Sequence, residues 1–514
     1  MMKKTLCMLL ALILLMSCFA GCAAKPAEEE TPEKENNSTA ENQENTEDNN
    51  TNEPAQEETP VDSLRAYEGT TITVAQNQGE YIWDKLYAIG DKFEELTGIK
   101  VEWQDIPSSD WDTWYAAQFA AGTEPDILFS MKDNTATYFD QGKLMDLTDY
   151  YEKENPFNGR IWKDCFTDGG LDDCYSADGT RLIATAITFA TVNLYYNKDI
   201  MNTLGLGDKA PETYSEMFRM MDVAKEEGTY IPMSVMNSMG WNLTWIEDDI
   251  LDALFHDTDI LEKLDIIVPN GWLDESEILL GLKTGVLQYD DPRYIEYFKI
   301  MKDFTQYWNQ DFNSASWEYE SLFNEGKVLF NFNGGWYPGQ VIEREIDVNY
   351  GTAQKPYVDS DFDQYGLTSR ILYTAPAGEA CFPISKKCED EGRGGAAVLF
   401  LQFMTDYLTG AQMYVDAVML GTCVKDVVMP AEMAEMQNVE YGDAKAVHYQ
   451  NAFKFNAEVS NLYWADYTAY LDPSSTQSAE AFVEQLKNEL LPFLDEAIED
   501  YTTYDVLSYV GQVS

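Results

Sequence analysis

The stretch of sequence between Thr70 and Phe129 decides the fold of this chain. It opens with TTITVA at residues 70–75, a β-branched run that is typical of a β-strand. The segment IKVEW at residues 99–103 alternates apolar and polar side chains, and PDILF at residues 125–129 is a short apolar run. The stretch therefore contains three predicted strands.

Two predicted helices separate these strands. Apolar residues recur at steps of three and four over residues 86–96, just before Gly98, and residues 111–121 form a second helical pattern. The order strand, helix, strand, helix, strand predicts parallel strands joined by crossover helices. Because ligands of such open sheets bind at the carboxyl ends of the strands, we expect a ligand near residues 76–80 and 130–134.

The pattern of strands and helices continues along the chain. A second α/β run is predicted from a strand region at residues 184–196, a helix over residues 214–226 and a strand over residues 327–332. Residues 396–407 and 479–497 have apolar faces at helical spacing. The chain is therefore predicted to belong to the α/β class, and its 514 residues are enough for two or three cores.

The charge of the chain restricts its partners. Lys and Arg total 34 against 90 Asp and Glu, which gives a formal net charge of −56. A surface this acidic repels phosphate backbones and anionic lipid headgroups, so we expect no nucleic-acid partner and no polybasic membrane surface. Hydrophobic residues make up 45% of the chain, which is enough to form buried cores.

The N-terminus has the features of an export signal. Residues 1–21 contain two lysines followed by a short apolar run, and FAGC at residues 19–22 resembles a bacterial lipobox. We therefore expect Cys22 to carry a lipid that anchors the protein at the extracytoplasmic face of the cell membrane. Residues 22–68 are predicted to be a disordered acidic tether, because they are rich in acidic and polar side chains and poor in apolar ones.

Five cysteines follow the predicted lipid anchor. Cys165 and Cys174 are close in sequence, as are Cys381 and Cys388, and a disulfide within either pair would close a short loop. The fifth cysteine is Cys423. An extracytoplasmic location permits these disulfides without requiring them, so free thiols are the alternative.

The sequence contains no motif that predicts an enzyme, a metal site or a cofactor site. G-x-S-x-G and H-E-x-x-H are absent, and His256 and His448 are isolated from other catalytic residue types. Asp359, Asp361 and Asp363 are spaced as in a calcium loop, but the glycine and the last acid of that motif are out of place. Chance carboxylate pairs are unavoidable among 90 acids, so they are weak evidence for a glycosidase. We expect no catalytic activity, metal or cofactor.

Three regions of the chain resemble a known family. They are FEELTGIKV at residues 93–101 with AAGTEPDILF at residues 120–129, LIATAITFATVNLYYNKD at residues 182–199, and FNEGKVLFNFNGGW at residues 323–336. In order and spacing they resemble the bacterial extracellular solute-binding proteins of ABC importers, in the class that includes maltose-binding protein. The resemblance covers most of residues 69–514. It implies an α/β fold of two lobes, joined by hinge strands, with a cleft between the lobes.

The resemblance also implies a domain division and a function. Lobe one would contain residues 69–187 and 376–454, and lobe two residues 188–375 and 455–514. A member of this family captures its solute by hinge closure and delivers it to the transmembrane subunits of an ABC permease. For this chain the resemblance implies a carbohydrate ligand, and we expect an oligosaccharide bound by a monomer that contacts the membrane through its lipid alone.

Nine residues are expected to contact the ligand. A sugar cleft needs aromatic platforms for the C–H faces of the rings and planar polar side chains for the hydroxyl groups. The resemblance places platforms at Trp336 and Trp464, and it places Asp133 where relatives hold a carboxylate against sugar hydroxyls. The other expected ligand-binding residues are Trp241, Tyr463, Gln78, Glu80, Ser130 and Asn134. Ala190 and Ser130 differ from the residues that maltose-binding relatives carry at these positions, so maltose specificity is not implied.

Two alternative functions share most of these features. A protein of the same fold could bind a polyol phosphate or a peptide, although an anionic ligand should leave an Arg or Lys cluster among the candidate residues, and none is present there. A sensory or glycosidase-associated lipoprotein that binds glycans would keep both the tether and the aromatic residues.

Overall fold

The computed structural model describes most of the chain from Leu64 onward. The described residues are 64–77, 79, 82–107, 110–189, 191–237, 241–314, 318–373, 380–430, 433, 442 and 444–513. The predicted signal peptide, the predicted lipidation site Cys22 and the tether as far as residue 63 lie outside the described residues.

The described residues form both strands and helices. The strands are β1 (Thr71–Gln76), β2 (Lys100–Asp105), β3 (Ile127–Leu128), β4 (Ser130–Met131), β5 (Thr188–Phe189), β6 (Val192–Asn197), β7 (Ile231–Ser234), β8 (Val328–Gly334), β9 (Tyr350–Ala353), β10 (Ala380–Cys381) and β11 (Gly421–Thr422). The helices are α1 (Trp83–Thr97), α2 (Trp111–Ala121), α3 (Lys132–Asp140), α4 (Thr148–Tyr151), α5 (Lys198–Thr203), α6 (Tyr214–Glu227), α7 (Trp241–Phe255), α8 (Ile260–Leu264), α9 (Glu275–Thr284), α10 (Pro292–Phe304), α11 (Glu318–Asn324), α12 (Tyr337–Glu343), α13 (Lys386–Asp390), α14 (Gly394–Met404), α15 (Gly410–Val418), α16 (Ala457–Leu471), α17 (Ala479–Leu490) and α18 (Leu494–Asp500).

The first sheet confirms the predicted parallel order. β1 pairs in parallel with β2 on one side and with β3 on the other, and Gln76 lies opposite Asp105 at the carboxyl ends of β1 and β2. α1 ends at Gly98, whose φ of 71° lies in the left-handed region and whose N–H donates to the Glu94 carbonyl. Glycine adopts this conformation without strain, which is why the sequence predicted the end of the helix.

The second sheet has the strand order β7, β8, β6, β9. β6 is antiparallel to β8 and β9, whereas β7 is parallel to β8. α6, which covers one face of this sheet's core, begins where the sequence predicted, and Thr213 Oγ1 accepts the Glu216 N–H at 3.2 Å. The Asp359 carboxylate accepts the N–H and the hydroxyl of Ser215 at 2.9 and 2.7 Å. The first acid of the calcium-like spacing therefore stabilises the start of α6.

Two hydrophobic cores form the two lobes. The first core combines residues within 72–187 with residues within 381–424. The second core combines residues within 194–367 with residues within 449–506. Each core is thus assembled from segments that are distant in sequence.

The first crossing between the cores follows Ile187. Ile187 belongs to the first core and Leu194 to the second, and β5 lies between them. β5 is antiparallel to β11. A Cβ on Gly421 of β11 would lie 2.4 Å from the Phe189 ring, so this close pairing of the strands requires glycine.

The second predicted crossing lies largely outside the described residues, which resume at residue 380. Tyr449 and Phe453 are buried in the second core. The predicted division placed both residues in lobe one, as part of residues 376–454. Their aromatic side chains instead pack among those of the second core.

The five described cysteines are all buried and none forms a disulfide in the structure. Neither of the pairings that sequence proximity offered is present. The Sγ of Cys174 instead lies 3.6 Å from the Sγ of Cys381, and the Sγ of Cys165 lies 3.9 Å from the side-chain oxygen of Asn158. Tertiary packing, and not spacing along the chain, determines which thiols are neighbours.

No helix within the described ranges combines the length and the apolar character that crossing a membrane would require.

Candidate functional site

Trp336 lies where β8 meets α12. Gly335 donates its N–H to the Thr191 carbonyl at 2.7 Å, which joins this turn to the first crossing. A Cβ on Gly334 would lie 2.3 Å from the Trp336 ring, so the ring folds over a glycine. Trp336 is half-buried and packs against the first core, although the strand before it belongs to the second sheet. The ring therefore lies at the junction of the two lobes.

Trp245 of α7 packs beside Trp336. The two ring centroids are 5.9 Å apart and the ring planes are inclined by 56°. Lys355 Nζ donates to the Trp245 carbonyl at 2.7 Å and forms an ion pair with Asp249 at 2.6 Å. Burial raises the pKa of Asp249, and the charge of Lys355 opposes that rise. Trp245 was not among the expected residues, and the local signal that could have indicated it is a second tryptophan four positions after Trp241.

Trp464 of α16 lies beside a buried ion pair. Lys454 Nζ is 5.0 Å from the Trp464 ring centroid and 3.2 Å from Oε2 of Glu247. The Glu247 side chain is 0% exposed and that of Lys454 is 10% exposed. Tyr463 is fully buried in the second core and donates its hydroxyl to Glu247 at 3.4 Å. The Trp464 side chain is half-buried beside this ion pair, whereas the Tyr463 side chain is buried.

Two further carboxylates of α7 connect the helix to the ends of the crossings. His448 Nδ1 lies 3.2 Å from Asp248, and Asp252 accepts the Val447 N–H at 3.1 Å and the Tyr373 hydroxyl at 3.3 Å. Burial and the charge of Asp248 raise the pKa of Asp252 to about 8. Burial is the largest single influence on the pKa of His448 and lowers it, but the hydrogen bond with Asp248 and the charges of Asp248 and Asp252 together raise this pKa above its ordinary value. Tyr373 and Val447 lie 121 and 195 positions from Asp252 in sequence, so this cluster ties two distant segments of the chain to α7.

Polar side chains also meet at the carboxyl ends of β1 and β2. Gln76 and Tyr87 both donate to the Asp105 carboxylate. The hydrogen bond to Asp105, together with burial, raises the pKa of Tyr87 to about 12. On the same helix as Tyr87, Lys85 forms an ion pair with Glu343 of α12. This ion pair joins a helix of the first core to the helix that follows Trp336.

The structure places the expected lobe-one residues only in part. Ser130 is buried, and its Oγ lies 3.2 Å from the Tyr115 hydroxyl and 2.9 Å from the Thr135 hydroxyl. For five expected residues no side chain is described: Asp133 and Asn134 at the start of α3, Trp241 at the start of α7, and Gln78 and Glu80.

The described side chains support non-covalent recognition. Trp336 and Trp245 form one aromatic surface, Trp464 forms another, and α7 contacts the residues beside both. Half-buried indole rings offer flat apolar faces, and the neighbouring carboxylates and ammonium groups offer hydrogen bonds. Within the part of the chain that the structure describes, no group of three or more His, Cys, Asp or Glu side chains could hold a metal ion.

Solved structures share this architecture. Maltose-bound MalE3 of T. maritima is 19% identical to this chain with a TM-score of 0.59, and the match covers 82% of this chain and 99% of that one. The solute-binding protein RafE in complex with raffinose is 19% identical with a TM-score of 0.60, covering 83% and 100% of the two chains. The substrate-binding protein Lmo0181 of Listeria monocytogenes in complex with cycloalternan is 16% identical with a TM-score of 0.59, covering 83% and 99%. At these identities the similarity shows the fold alone.

A family model provides the assignment that fold similarity cannot. No curated protein matches the chain. The model described as "Bacterial extracellular solute-binding protein" matches residues 88–441, well over half of the 514 residues, and the matched span includes segments of both cores. The chain therefore belongs to the bacterial extracellular solute-binding proteins.

Proposed function

We propose that this protein captures a neutral carbohydrate, an oligosaccharide, in the cleft between its lobes and delivers it to the permease of an ABC importer. The observation that carries the proposal is the half-buried pair of Trp336 and Trp245 at the junction of the lobes. A sugar ring presents C–H groups on its faces, which pack on indole rings, and hydroxyl groups at its edges, which require polar side chains nearby.

The charges around the aromatic residues favour a neutral ligand. Lys355 is paired with Asp249 at 2.6 Å, and Lys454 is paired with Glu247 at 3.2 Å. Each lysine charge is thus offset by a carboxylate of α7. An anionic solute such as a polyol phosphate would have to compete with these carboxylates for the lysines, whereas a neutral sugar would not.

The ligands named for three solved structures of similar fold agree with this choice. MalE3 is described with maltose, RafE with raffinose and Lmo0181 with cycloalternan, and all three ligands are sugars of two or more rings. We carry over the ligand class to this chain and not any one of these sugars.

The proposed mechanism is a population shift between open and closed lobes. Ligand binds first to one lobe, and contacts from the second lobe form only on closure, so ligand stabilises the closed state by that difference in contacts. The ion pair between Lys85 and Glu343 joins a helix of the first core to α12, the helix that follows Trp336. The permease would then recognise the closed form. No covalent step and no cofactor is involved.

The role that we propose for each contact residue depends on how deeply its side chain is buried. Trp336, Trp245 and Trp464 are half-buried and serve as platforms. Asp133, Asn134, Trp241, Gln78 and Glu80 stay proposed contacts from the resemblance. Ser130 and Tyr463 are buried, so we propose that they support neighbouring contacts from behind.

The ligand class can be tested with Trp336→Ala. We expect wild-type protein to show a saturable change in tryptophan fluorescence and a rise in melting temperature with one class of oligosaccharide. Loss of the indole platform should weaken that affinity at least tenfold, which corresponds to about 1.4 kcal/mol. Isothermal titration with the responding sugar measures the change, and chromatography of the glycan checks that it is not hydrolysed.

A matched control is Trp272→Ala. Trp272 is also a half-buried tryptophan, and Lys445 Nζ lies 4.5 Å from its ring centroid, away from the Trp336–Trp245 pair. This variant should keep the wild-type affinity. A response to peptides or phosphorylated polyols, with none to any sugar, would reject the carbohydrate proposal and leave the family assignment intact.

We further propose that Cys22 anchors the protein to the membrane. Cys22→Ser removes the thiol that would carry the lipid, so the protein should move from the membrane fraction to the soluble extracytoplasmic fraction of the cell. Immunoblots of both fractions measure the change. Cys18→Ser is the control, because Cys18 lies within the predicted signal and should leave anchoring intact. Retention of the Cys22→Ser protein in the membrane fraction would contradict the proposal.

A further inference from the structure

Two buried cysteines are in contact although they are distant in sequence. The Sγ atoms of Cys174 and Cys381 lie 3.6 Å apart, and 207 positions separate the two residues. The Sγ of Cys381 also lies 3.4 Å from the carbonyl oxygen of Asp173. The Cys381 side chain therefore points at the turn that carries Cys174. Both cysteines are 0% exposed.

Backbone hydrogen bonds hold the two cysteines on either side of one segment. Ile183 donates its N–H to the Cys174 carbonyl at 2.9 Å. Ala186 forms an antiparallel bridge with Cys381, and Thr185 exchanges two hydrogen bonds with the residue that follows Cys381. The relative positions of the two cysteines thus depend on the backbone framework of the first lobe as well as on side-chain contact.

We propose that Cys174 and Cys381 form a disulfide bond in the exported protein. Formation of the bond requires the two sulfurs to approach from 3.6 Å to about 2.0 Å. Disulfides persist outside the cytoplasm, where a member of the extracellular solute-binding proteins is found. The bond would tie the turn at Cys174 to β10, the strand that receives the second crossing. It is independent of which ligand the cleft binds.

The neighbouring thiols are less well placed. The Sγ of Cys165 faces the Asn158 side chain and the Ile161 carbonyl, at 3.9 and 3.7 Å. Cys423 is a third buried thiol close enough to raise the pKa of Cys174, after the larger effects of burial and of Cys381. Cys423 is therefore the competing partner that the experiment must exclude.

The chemistry requires that the bond forms while the chain folds. Burial raises the pKa of the Cys174 thiol well above its ordinary value, so the folded protein contains little of the reactive thiolate. In the exchange, one cysteine thiolate attacks an external disulfide, such as oxidised glutathione, and releases one external thiolate. The second cysteine thiolate then attacks the first cysteine's sulfur and releases the other external thiolate. One disulfide is consumed, one is formed, and the two protein thiol protons pass to the released thiolates.

The test is a comparison of two refolding reactions of the full chain. The protein is unfolded and reduced, then refolded either with a mixture of reduced and oxidised glutathione or with reductant alone. Each sample is alkylated under denaturing conditions, digested and examined by mass spectrometry. We expect the glutathione mixture to yield a linked peptide pair containing Cys174 and Cys381 that reductant separates. The melting temperature of that sample should be several degrees higher, because the bond closes a long loop in the unfolded chain.

Serine variants define the partners. Cys174→Ser and Cys381→Ser should each abolish the linked peptide and the difference in melting temperature between the two refolding conditions. Cys165→Ser, at a cysteine that is 1% exposed, should keep both. Complete alkylation of Cys174 and Cys381 after oxidative refolding, or a bond from either of them to Cys423, would overturn the proposal. If the serine variants do not fold, the peptide map of the wild-type chain still decides.

Discussion

Replacing Lys454 with methionine is expected to destabilise the protein by about 3–5 kcal/mol, because it leaves a buried carboxylate without its cation. The Glu247 side chain is 0% exposed, so water cannot take the place of the lost ammonium group. The Tyr463 hydroxyl, at 3.4 Å, is a neutral partner and cannot offset a full charge. Methionine keeps most of the apolar length of lysine, which limits the loss of packing around Trp464. Urea unfolding of the wild type and the variant measures the difference.

Two further variants separate charge from packing. In Lys454→Met combined with Glu247→Gln both charges are removed, and most of the stability should return. Lys487→Met breaks an ion pair with Asp290 whose side chains are 38% and 53% exposed, so it should change stability very little. A Lys454→Met protein as stable as the wild type would show that Glu247 reaches another cation or water in solution.

The second large effect is expected in the pH dependence of stability. The pKa of Asp252 is raised to about 8, first by burial and then by the charge of Asp248. Between about pH 4 and pH 8 the folded state therefore holds a proton that the unfolded state has released. The contribution of Asp252 to stability is complete at pH values below the pKa that its carboxyl has in the unfolded chain. It is lost as the pH rises towards the pKa of this carboxyl in the folded protein. The protein should accordingly become less stable from pH 5 to pH 8.

Asp252→Asn should remove this part of the pH dependence. The amide resembles the protonated carboxyl at every pH, and its oxygen can still accept the Val447 N–H. The variant should become progressively more stable than the wild type as the pH rises from 5 to 8, by an amount on the order of 1 to 3 kcal/mol. Asp249, His448 and Tyr373 also face this region, so part of the slope should persist.

Urea unfolding at intervals from pH 5 to pH 8.5 measures this effect. Asp303→Asn, at an exposed aspartate of α10, is the control and should follow the wild-type profile. Parallel profiles of the wild type and Asp252→Asn would contradict the assignment of a bound proton to Asp252. A destabilised Asp252→Asn protein at pH 5 would show that the hydrogen bonds to Val447 and Tyr373 require a carboxyl group.

Elements whose formation depends on near neighbours in sequence could be predicted. The apolar spacing over residues 86–96 and Gly98 predicted α1, and the β-branched run at residues 70–75 predicted β1. The predicted helix over residues 214–226 corresponds to α6. Helical periodicity and capping hydrogen bonds act over three or four residues, so they are visible in a short window of sequence.

The environment of the candidate site could be predicted only in part. The resemblance indicated Trp336 as a ligand platform, and the structure shows its ring folded over Gly334. Nothing near Trp245 in sequence indicated that Lys355, 110 positions away, would bind its carbonyl. Glu247 of α7 likewise pairs with Lys454, which lies 207 positions away in sequence.

By itself the sequence determined the α/β class, the parallel first sheet, the division into two lobes and the membership of the solute-binding family. The tertiary structure decided which tryptophans pair at the junction of the lobes, which carboxylates offset the buried lysines and which thiols meet. The first group depends on local periodicity and on segments whose pattern is shared by a family. The second depends on contacts between residues more than 90 positions apart. Their energies arise from burial and charge compensation, which exist only after the whole lobe has packed.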